Sequence, residues 1–309
     1  MTPAAFESLF SRYVAAERSK KMSEHSLKSY DLHLRRFRDY LSESNETEIT
    51  PFTVIEWRSH LFESGLKQSS IHQYMTTVSR FFDWAKRMGL TESNPVQEEE
   101  IPRYKTDKIQ VPTKEEIYKL IQKKPYTLTS KTPLRNYTIV AFMILTGLRS
   151  DELRELRLSD LNFSKGFVLV RCGKGGKERS VPFPARAQNI VKEYLSLGIR
   201  PAWCTDEDYL FGTGKETTGA PKSNEVWHKW DASTLGRMVK SYVKKMIGKD
   251  VHPHTLRHCA ASLWYNADVS VNNIKDALGH VNPATTMRYI DLIEETKSAT
   301  EINAAIANI

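Results

Sequence analysis

The stretch Thr146-Gly147-Leu148-Arg149-Ser150-Asp151-Glu152-Leu153 marks an abrupt change of pattern in the second half of the chain. It follows the apolar run Ile139 to Leu145, which predicts a buried helix that ends at Gly147, and a new helix is expected beyond it. Because Arg149 comes directly after so apolar a run, we expect its guanidinium to be partly buried. A buried cation needs a carboxylate partner, such as Glu152, or a bound anion. The stretch therefore predicts a salt bridge or an anion site where two helices meet.

Upstream of that junction, the first hundred residues show the periodicity of amphipathic helices and no strand pattern. The predicted helices run from Ala4 to Arg18, Ser23 to Leu41, Pro51 to Glu63 and Gln68 to Met88. Residues 101–112 are charged, contain prolines and lack an apolar period, so they predict an interdomain linker. Thr113-Lys114-Glu115-Glu116 then has the form of a capping box. We therefore expect a helical domain over residues 1–100 and a second domain over residues 113–309.

Downstream, the pattern changes to strands and then back to helices. Two strand-like runs, Phe167 to Cys172 and Glu178 to Phe183, are joined by Gly173-Lys174-Gly175-Gly176-Lys177, which predicts a β-hairpin. Further helices are predicted at Pro184 to Leu197, Asp231 to Ile247, Pro253 to Tyr265, Val271 to Leu278 and Pro283 to Ile290. The expected fold class is mainly α with a small antiparallel β-sheet, in which a helical N-terminal domain precedes a mixed α/β domain.

The composition favours a globular protein with an acidic partner. The 45 lysines and arginines exceed the 37 acidic residues, which gives a net charge of +8. Such an excess favours a polyanion such as nucleic acid, although many proteins with this charge bind none. The three cysteines are widely spaced, which is typical of a reducing compartment. Neither a signal peptide nor a membrane span is indicated, so we expect a cytoplasmic protein.

Five further residues carry side chains suited to chemistry on a phosphate. His254 and Arg257 are three residues apart, which places them on one face of a helix, and Lys174 lies in the glycine-rich turn of the hairpin. Tyr289 is expected about two turns into a short helix that closely follows His280. Alone, each has an ordinary explanation, such as a surface pair, a solvated lysine or a packed tyrosine. Together they supply the cations and proton carriers that a phenol needs to attack phosphorus at neutral pH.

In these residues the chain resembles the tyrosine recombinase family, which comprises the phage integrases and the Xer-like site-specific recombinases. Thr146 to Leu153 resembles the first arginine box of that family, and His254-Thr255-Leu256-Arg257-His258 resembles the second. Leu278-Gly279-His280 resembles the third box, and Tyr289 stands at the position of the nucleophile. The hairpin matches the one that carries a catalytic lysine in the family, normally the first, which is Lys174 here. The first hundred residues resemble the core-binding domain.

The resemblance implies an enzyme that cleaves and rejoins DNA strands. The implied catalytic residues are Tyr289, Arg149, Lys174, His254, Arg257 and His280. In the family the tyrosine forms a 3′-phosphotyrosyl bond while the lysine protonates the departing 5′ oxygen. Neither ATP nor a metal is therefore expected, and no cofactor is expected. The implied partners are double-stranded DNA with inverted-repeat sites, a homotetramer formed by exchange of the C-terminal tail, and accessory proteins.

Basic side chains outside the catalytic set are candidates for contacts with DNA. The predicted contacts are Arg35, Arg36 and Arg38 on the second helix, and Lys177 and Arg179 in the hairpin. Phosphate contacts of this kind supply affinity with little sequence information. The alternative is that each of them lies on a solvated surface and contacts no DNA.

Three other functions compete with site-specific recombination. A type IB topoisomerase-like enzyme would share the strand-cleaving chemistry, and a DNA-binding regulator would lack it. Metal-dependent chemistry is suggested by the closeness of His252, His254, His258 and Cys259. However, the zinc-protease pattern His-Glu-x-x-His requires an acid where Thr255 stands. The separate helical domain favours site-specific exchange over relaxation of supercoils.

Overall fold

The chain forms two compact units in the computed structural model, Met1–Lys108 and Ile109–Ile309. The structure describes residues 1–20, 22, 24–44, 46–104, 111–122, 131–171, 178–214 and 227–279. Several predicted features lie outside these residues, namely Lys174, Lys177, His280, Tyr289, the helix over 283–290 and the C-terminal tail.

The described part of the first unit is helical throughout. Its α-helices are α1 (Pro3–Ser19), α2 (Glu24–Glu43), α3 (Pro51–Glu63) and α4 (Gln68–Arg87). An aromatic core joins them, in which the buried ring of Phe6 lies 5.2 Å from that of Phe37 and 4.6 Å from that of Phe81. Trp57 of α3 also packs against Phe37, with ring centroids 4.6 Å apart. Within each helix the buried apolar side chains recur at helical spacing, which is why the sequence predicts helices over the first hundred residues.

Residues after α4 also belong to this unit. Arg58 forms an ion pair with Glu100, and the Nδ1 atom of His72 donates to the carbonyl of Pro102 at 3.0 Å. The ring of Tyr104 lies 5.2 Å from that of His72. Pro102 and Tyr104 of the predicted linker therefore contact the helical unit, and the predicted domain boundaries stay a prediction.

The second unit is a helical domain with short strands. Its α-helices are α5 (Lys114–Gln122), α6 (Lys131–Thr146), α7 (Ser150–Glu155), α8 (Ala185–Ser196), α9 (Ala232–Ile247), α10 (Pro253–Asn266) and α11 (Val271–Leu278). Its strands are β1 (Leu161–Asn162), β2 (Phe167–Val170), β3 (Arg179–Pro182), β4 (Gly212–Thr213) and β5 (His228–Lys229). All pairings of these strands are antiparallel, in the order β1-β2-β3 for one sheet and β4-β5 for another.

The predicted fold class is confirmed, with one difference in the sheets. The predicted hairpin strands pair in register, with Val168 opposite Val181, but β1 extends that sheet and β4 and β5 form a second one.

Helix α6 is buried from Tyr137 to Thr146 and lies at the centre of the unit, packed against α5, α8, α9 and α10. No helix in the described ranges is long and apolar enough to cross a bilayer.

Candidate active site

The site begins where α6 ends. Gly147 has φ +66° and its amide donates to the carbonyl of Met143 at 2.9 Å, which closes the helix in a left-handed conformation. Leu148 is fully buried, and Arg149 then becomes the N-cap residue of α7. The chain thus turns within three residues from a buried helix to an arginine whose side chain is 21% exposed.

A side chain at position 147 would disturb this turn. An ideal Cβ there would lie 2.9 Å from both Leu278 Cδ2 and Trp264 Cη2, so the last turns of α10 and α11 lie directly against the glycine. We expect Gly147→Ala to lower the free energy of unfolding by about 1–2 kcal/mol through backbone strain and by about 1–3 kcal/mol more through overpacking. Gly248→Ala is the matched control, because Gly248 has φ +76° with nothing within 4 Å of its Cβ position. Equal losses of stability in the two variants would contradict the close approach.

Glu152 is the acceptor around which the site is built. It occupies the third position of α7, and its Oε2 atom reaches back to the backbone amide of Arg149 at 2.8 Å. Its Oε1 atom accepts from Arg149 Nη1 at 2.7 Å, and its side chain is 4% exposed. Burial alone raises the pKa of this carboxyl, but hydrogen bonds from Arg179 and from Arg149 outweigh it and lower the pKa to about 2.

That pKa makes the second unit sensitive to acid. Because the folded-state pKa of about 2 lies below the ordinary value of 4.5, the ionised carboxylate contributes stability above pH 4.5 that is lost as the pH falls towards 2. The difference corresponds to about 3 kcal/mol. We expect the unfolding free energy of the wild type to fall by that much more than that of Glu152→Gln between pH 6 and pH 2, measured by denaturant titration. Parallel curves for the two proteins would show that Glu152 is not held ionised.

Arg179 completes the environment of Glu152. Its Nη1 and Nη2 atoms donate to Glu152 Oε1 and Oε2, both at 2.7 Å, and its Nε atom donates to the carbonyl of Ala277 at 3.3 Å. The sequence analysis predicts that Arg179 contacts DNA. In the structure, three of its donors are directed into the protein. Its side chain is 14% exposed.

The second arginine box lies on α10. Arg257 is buried, with Nη1 donating to the carbonyl of Gly147 at 2.9 Å and Nη2 donating to that of Leu278. Its Nη1 atom also lies 4.0 Å from Glu152 Oε2. His254, one turn earlier, is exposed. Next to them, burial together with the charges of His254 and Arg257 lowers the pKa of His258 to about 4, so this imidazole is neutral at physiological pH.

The three arginines converge on the end of α11. We call Arg149, Arg179, Arg257 and Glu152 the arginine cluster. Besides the bonds to Ala277 and Leu278, Arg149 Nη2 donates to the carbonyl of Gly279 at 2.9 Å. Carbonyls at the end of a helix have no partner within the helix and carry partial negative charge, so guanidiniums are suitable partners for them. The arginine cluster therefore fixes the chain immediately before His280.

The structure brings together some of the predicted site residues. Arg149, Arg257 and Glu152 meet in the arginine cluster, and His254 lies on the same helix as Arg257. Lys174, His280 and Tyr289 lie outside the described residues, as does Lys177. The sequence analysis did not predict that Arg179 belongs to the arginine cluster, and no local pattern indicates it, because 27 residues separate Arg179 from Glu152.

The predicted DNA contacts of the first unit lie on α2 and have partners of their own. Arg35 Nε lies 2.8 Å from Asp31 Oδ2, and Arg38 Nη2 lies 2.7 Å from Asp39 Oδ1. The guanidinium of Arg36 lies 5.4 Å from the centre of the Tyr74 ring. Exposed ion pairs of this kind are weak, so phosphates could compete for Arg35 and Arg38.

The histidines that suggested metal-dependent chemistry differ in their exposure, since His252 and His254 are exposed and His258 is buried. Within the described ranges, no group of three or more histidine, cysteine, aspartate or glutamate side chains is arranged to hold a metal ion. Cys259 is fully buried, and burial raises the pKa of its thiol to about 12.

Two protein-family profiles match this chain. The profile of the phage integrase family matches residues 110–296, and that of the phage integrase N-terminal SAM-like domain matches residues 8–89. The chain belongs to the phage integrase family. It is therefore a tyrosine-type recombinase, an enzyme of the class that transfers DNA strands.

Relatives of this phage integrase cover nearly its whole length. A tyrosine recombinase of Thermosipho africanus is 28% identical over 94% of this chain and 95% of the relative. The tyrosine recombinase XerA of Pyrococcus furiosus is 31% identical over 83% of this chain and 82% of its own. The crystal structure of a lambda integrase dimer bound to a core site covers 92% of this chain and 94% of that chain with a TM-score of 0.68; at 17% identity it shows a shared fold.

Proposed function

We propose that this enzyme exchanges strands between specific sites in double-stranded DNA through a covalent bond between Tyr289 and a 3′ phosphate. The observation that carries the proposal is the convergence of Arg149 and Arg257, from two helices, on the last turn of α11. That turn leads into His280, and Tyr289 follows nine residues later. The proposed reaction needs no ATP, because the phosphotyrosyl bond conserves the energy of the broken phosphodiester. It needs no metal, because Arg149 and Arg257 supply the positive charge that stabilises the transition state.

The reaction is an in-line displacement at phosphorus. The Tyr289 oxygen attacks the phosphorus, its proton passes to a base with the help of His254, and the bond from phosphorus to the 5′ oxygen breaks. Lys174 supplies a proton to that departing oxygen, which leaves a free 5′ hydroxyl and a 3′-phosphotyrosyl ester. Arg149, Arg257 and His280 donate to the non-bridging oxygens as negative charge builds on them. Attack by a 5′ hydroxyl of a partner strand reverses these steps and completes the exchange.

The partly exposed side chain of Arg149 supports this assignment. Glu152 holds its orientation through one side-chain and one backbone bond, yet 21% of the side chain remains open to solvent. A donor that is fixed before substrate binds loses little free energy to reorganisation in the transition state. Removal of one such donor costs on the order of 10²-fold in rate or more.

We further propose that the helical domain over residues 1–100 and the catalytic domain over residues 113–309 both hold duplex DNA. Arg35, Arg36 and Arg38 on α2 and Lys177 in the hairpin would contact phosphates. Support comes from the net charge of +8 and from the position of the three arginines on one helix. Inverted-repeat sites and accessory proteins would then set which DNA is used.

A substrate with a nick near the cleavage point tests the central proposal. The short strand beyond the nick diffuses away after cleavage, so rejoining fails and the covalent complex accumulates. The expected product is a protein-DNA adduct that survives SDS, with the phosphate mapped to Tyr289 by peptide sequencing. A non-catalytic regulator would give no adduct. A topoisomerase-like enzyme would relax supercoiled DNA without needing paired sites.

The tail beyond residue 297 is proposed to join neighbouring subunits in a tetramer on paired sites. Ile302, Ala305, Ile306 and Ile309 recur at helical spacing in the sequence. Deletion of residues 298–309 is expected to leave duplex binding unchanged but to abolish synapsis and recombination. Gel shift and recombination of a plasmid with two sites measure the two effects.

A point variant separates the apolar stripe from the length of the tail. Ile302→Ser with Ile306→Ser should reproduce the deletion, whereas Asn303→Ser, outside the stripe, should recombine normally. Full recombination by the truncated protein would refute exchange of the tail.

A further inference from the structure

Arg179 connects the hairpin with the end of α11. It is the first residue of β3, two residues beyond the segment 172–177 that contains Lys174. Its guanidinium donates hydrogen bonds to both carboxylate oxygens of Glu152 at 2.7 Å, and its Nε atom donates to the carbonyl of Ala277. A planar fork with two parallel bonds fixes orientation as well as distance. Arg179 therefore joins β3, α7 and α11 through one side chain.

Arg179 also covers the backbone of Gly279. That glycine ends α11 with φ +62°, and an ideal Cβ on it would lie 3.0 Å from both Cδ and Nε of Arg179. The carbonyl of the same glycine accepts from Arg149 Nη2 at 2.9 Å. The last residue before His280 is thus bounded by Arg179 on its Cα side and by Arg149 on its carbonyl.

We propose that Arg179 is a positioning residue for strand cleavage, which acts by setting the end of α11 against Arg149 and so aligns the segment that begins at His280. This inference rests on the proposed function. It differs from a DNA-contact role, because the guanidinium is turned towards Glu152 and Ala277. It also differs from a role in stability alone, because its contacts surround the point from which the segment carrying the nucleophile departs.

Arg171 provides a matched control on the other side of the same hairpin. It follows β2 and forms an ion pair with Asp160, whose side chain is 3% exposed, much as Arg179 pairs with Glu152. Its other described bond goes to the hydroxyl of Ser159 at 3.1 Å. Loss of an arginine bound to a buried acid beside the hairpin is therefore common to both variants, whereas loss of contact with α11 belongs to Arg179 alone.

The experiment compares Arg179→Gln, Arg179→Lys and Arg171→Gln in the full-length protein. The readouts are the melting temperature, the Kd for duplex site DNA and the single-turnover rate of adduct formation with saturating enzyme. We expect both Arg179 variants to cleave on the order of 10²-fold more slowly, with Kd within about threefold of the wild type. Lysine keeps the charge but cannot form the fork, so it should not rescue the rate. Arg171→Gln should keep the wild-type rate.

If Arg179→Gln fails to fold, Gly279→Ala alone still tests the contact, because its methyl group would displace the side chain of Arg179 and should slow cleavage. Where the Arg179 variants fold, Gly279→Ala is also combined with Arg179→Ala, which removes the atoms that the new methyl group would meet. We expect Gly279→Ala to slow cleavage more when Arg179 is present than when it is shortened, so the two effects are not additive. Strict additivity would overturn the proposal. So would a normal cleavage rate for Arg179→Gln, or equal losses of rate and DNA affinity.

Wild-type protein and Tyr289→Phe run beside these variants. An adduct with the first and none with the second leaves the proposed function intact, whatever Arg179 does. Absence of an adduct with the wild type would instead count against the proposed function itself.

Discussion

Tyr289→Phe is expected to bind duplex site DNA with unchanged affinity and to form no covalent adduct. The substitution keeps the ring and removes the oxygen that forms the ester, so the chemical step has no nucleophile. We expect the rate of adduct formation to fall by about 10⁴-fold or more, as for loss of the nucleophile in other covalent enzymes. The measurement is an SDS gel with the nicked substrate, together with a native gel shift for affinity.

Tyr118→Phe serves as the control for this variant. Tyr118 lies on α5 with 39% of its surface exposed, so loss of its hydroxyl should leave adduct formation at the wild-type rate. An adduct that persists in Tyr289→Phe and maps to another residue would refute the assignment of the nucleophile.

The second large effect is expected for Glu152→Ala. This substitution removes the carboxylate and leaves three guanidiniums close together. Two of them form hydrogen bonds with that carboxylate, and the third lies 4.0 Å from it. Breaking a buried ion pair from one side costs about 3–5 kcal/mol, because the remaining charge is uncompensated. We expect that loss in unfolding free energy. We also expect cleavage to fall by at least 10²-fold under conditions where the variant is folded, since Arg149 is no longer oriented.

Asp160→Ala separates loss of stability from loss of alignment. Asp160 repeats the local geometry of Glu152, because its Oδ2 accepts from the backbone amide of Arg157 at 2.9 Å and its Oδ1 binds Arg171. It has no described contact with α11. We expect Asp160→Ala to lose stability and to cleave normally below its melting temperature, as measured by calorimetry and single-turnover kinetics. Normal cleavage by Glu152→Ala would show that Arg149 does not need its carboxylate partner.

Local sequence patterns predicted the helices well because their apolar faces repeat over several turns. The predicted helix from Pro51 to Glu63 agrees with α3 at both ends, and Val271 to Leu278 agrees with α11. Strands β1, β4 and β5 have two residues each, which is too short for an alternating pattern to be recognised. They depend on pairing between distant residues rather than on local preference.

The candidate site could be predicted in part, for a similar reason. Arg149 and Glu152 are three residues apart, so local spacing alone predicts their contact. The distance from Arg179 to Glu152 along the chain is 27 residues, and that from Arg149 to Gly279 is 130. No local pattern encodes such contacts, which arise when β3 and α11 pack against the start of α7. The sequence therefore pointed to an anion site without revealing that part of its positive charge holds the protein together.

The arginine cluster has a further consequence for how the enzyme and its substrate stabilise each other. Three positive charges face one negative charge, so like-charge repulsion persists in the folded protein. A phosphodiester placed against Arg149 would relieve part of that repulsion. By thermodynamic linkage, DNA should then raise the melting temperature of the second unit, and a variant in which the repulsion is already lower should gain less stability from DNA.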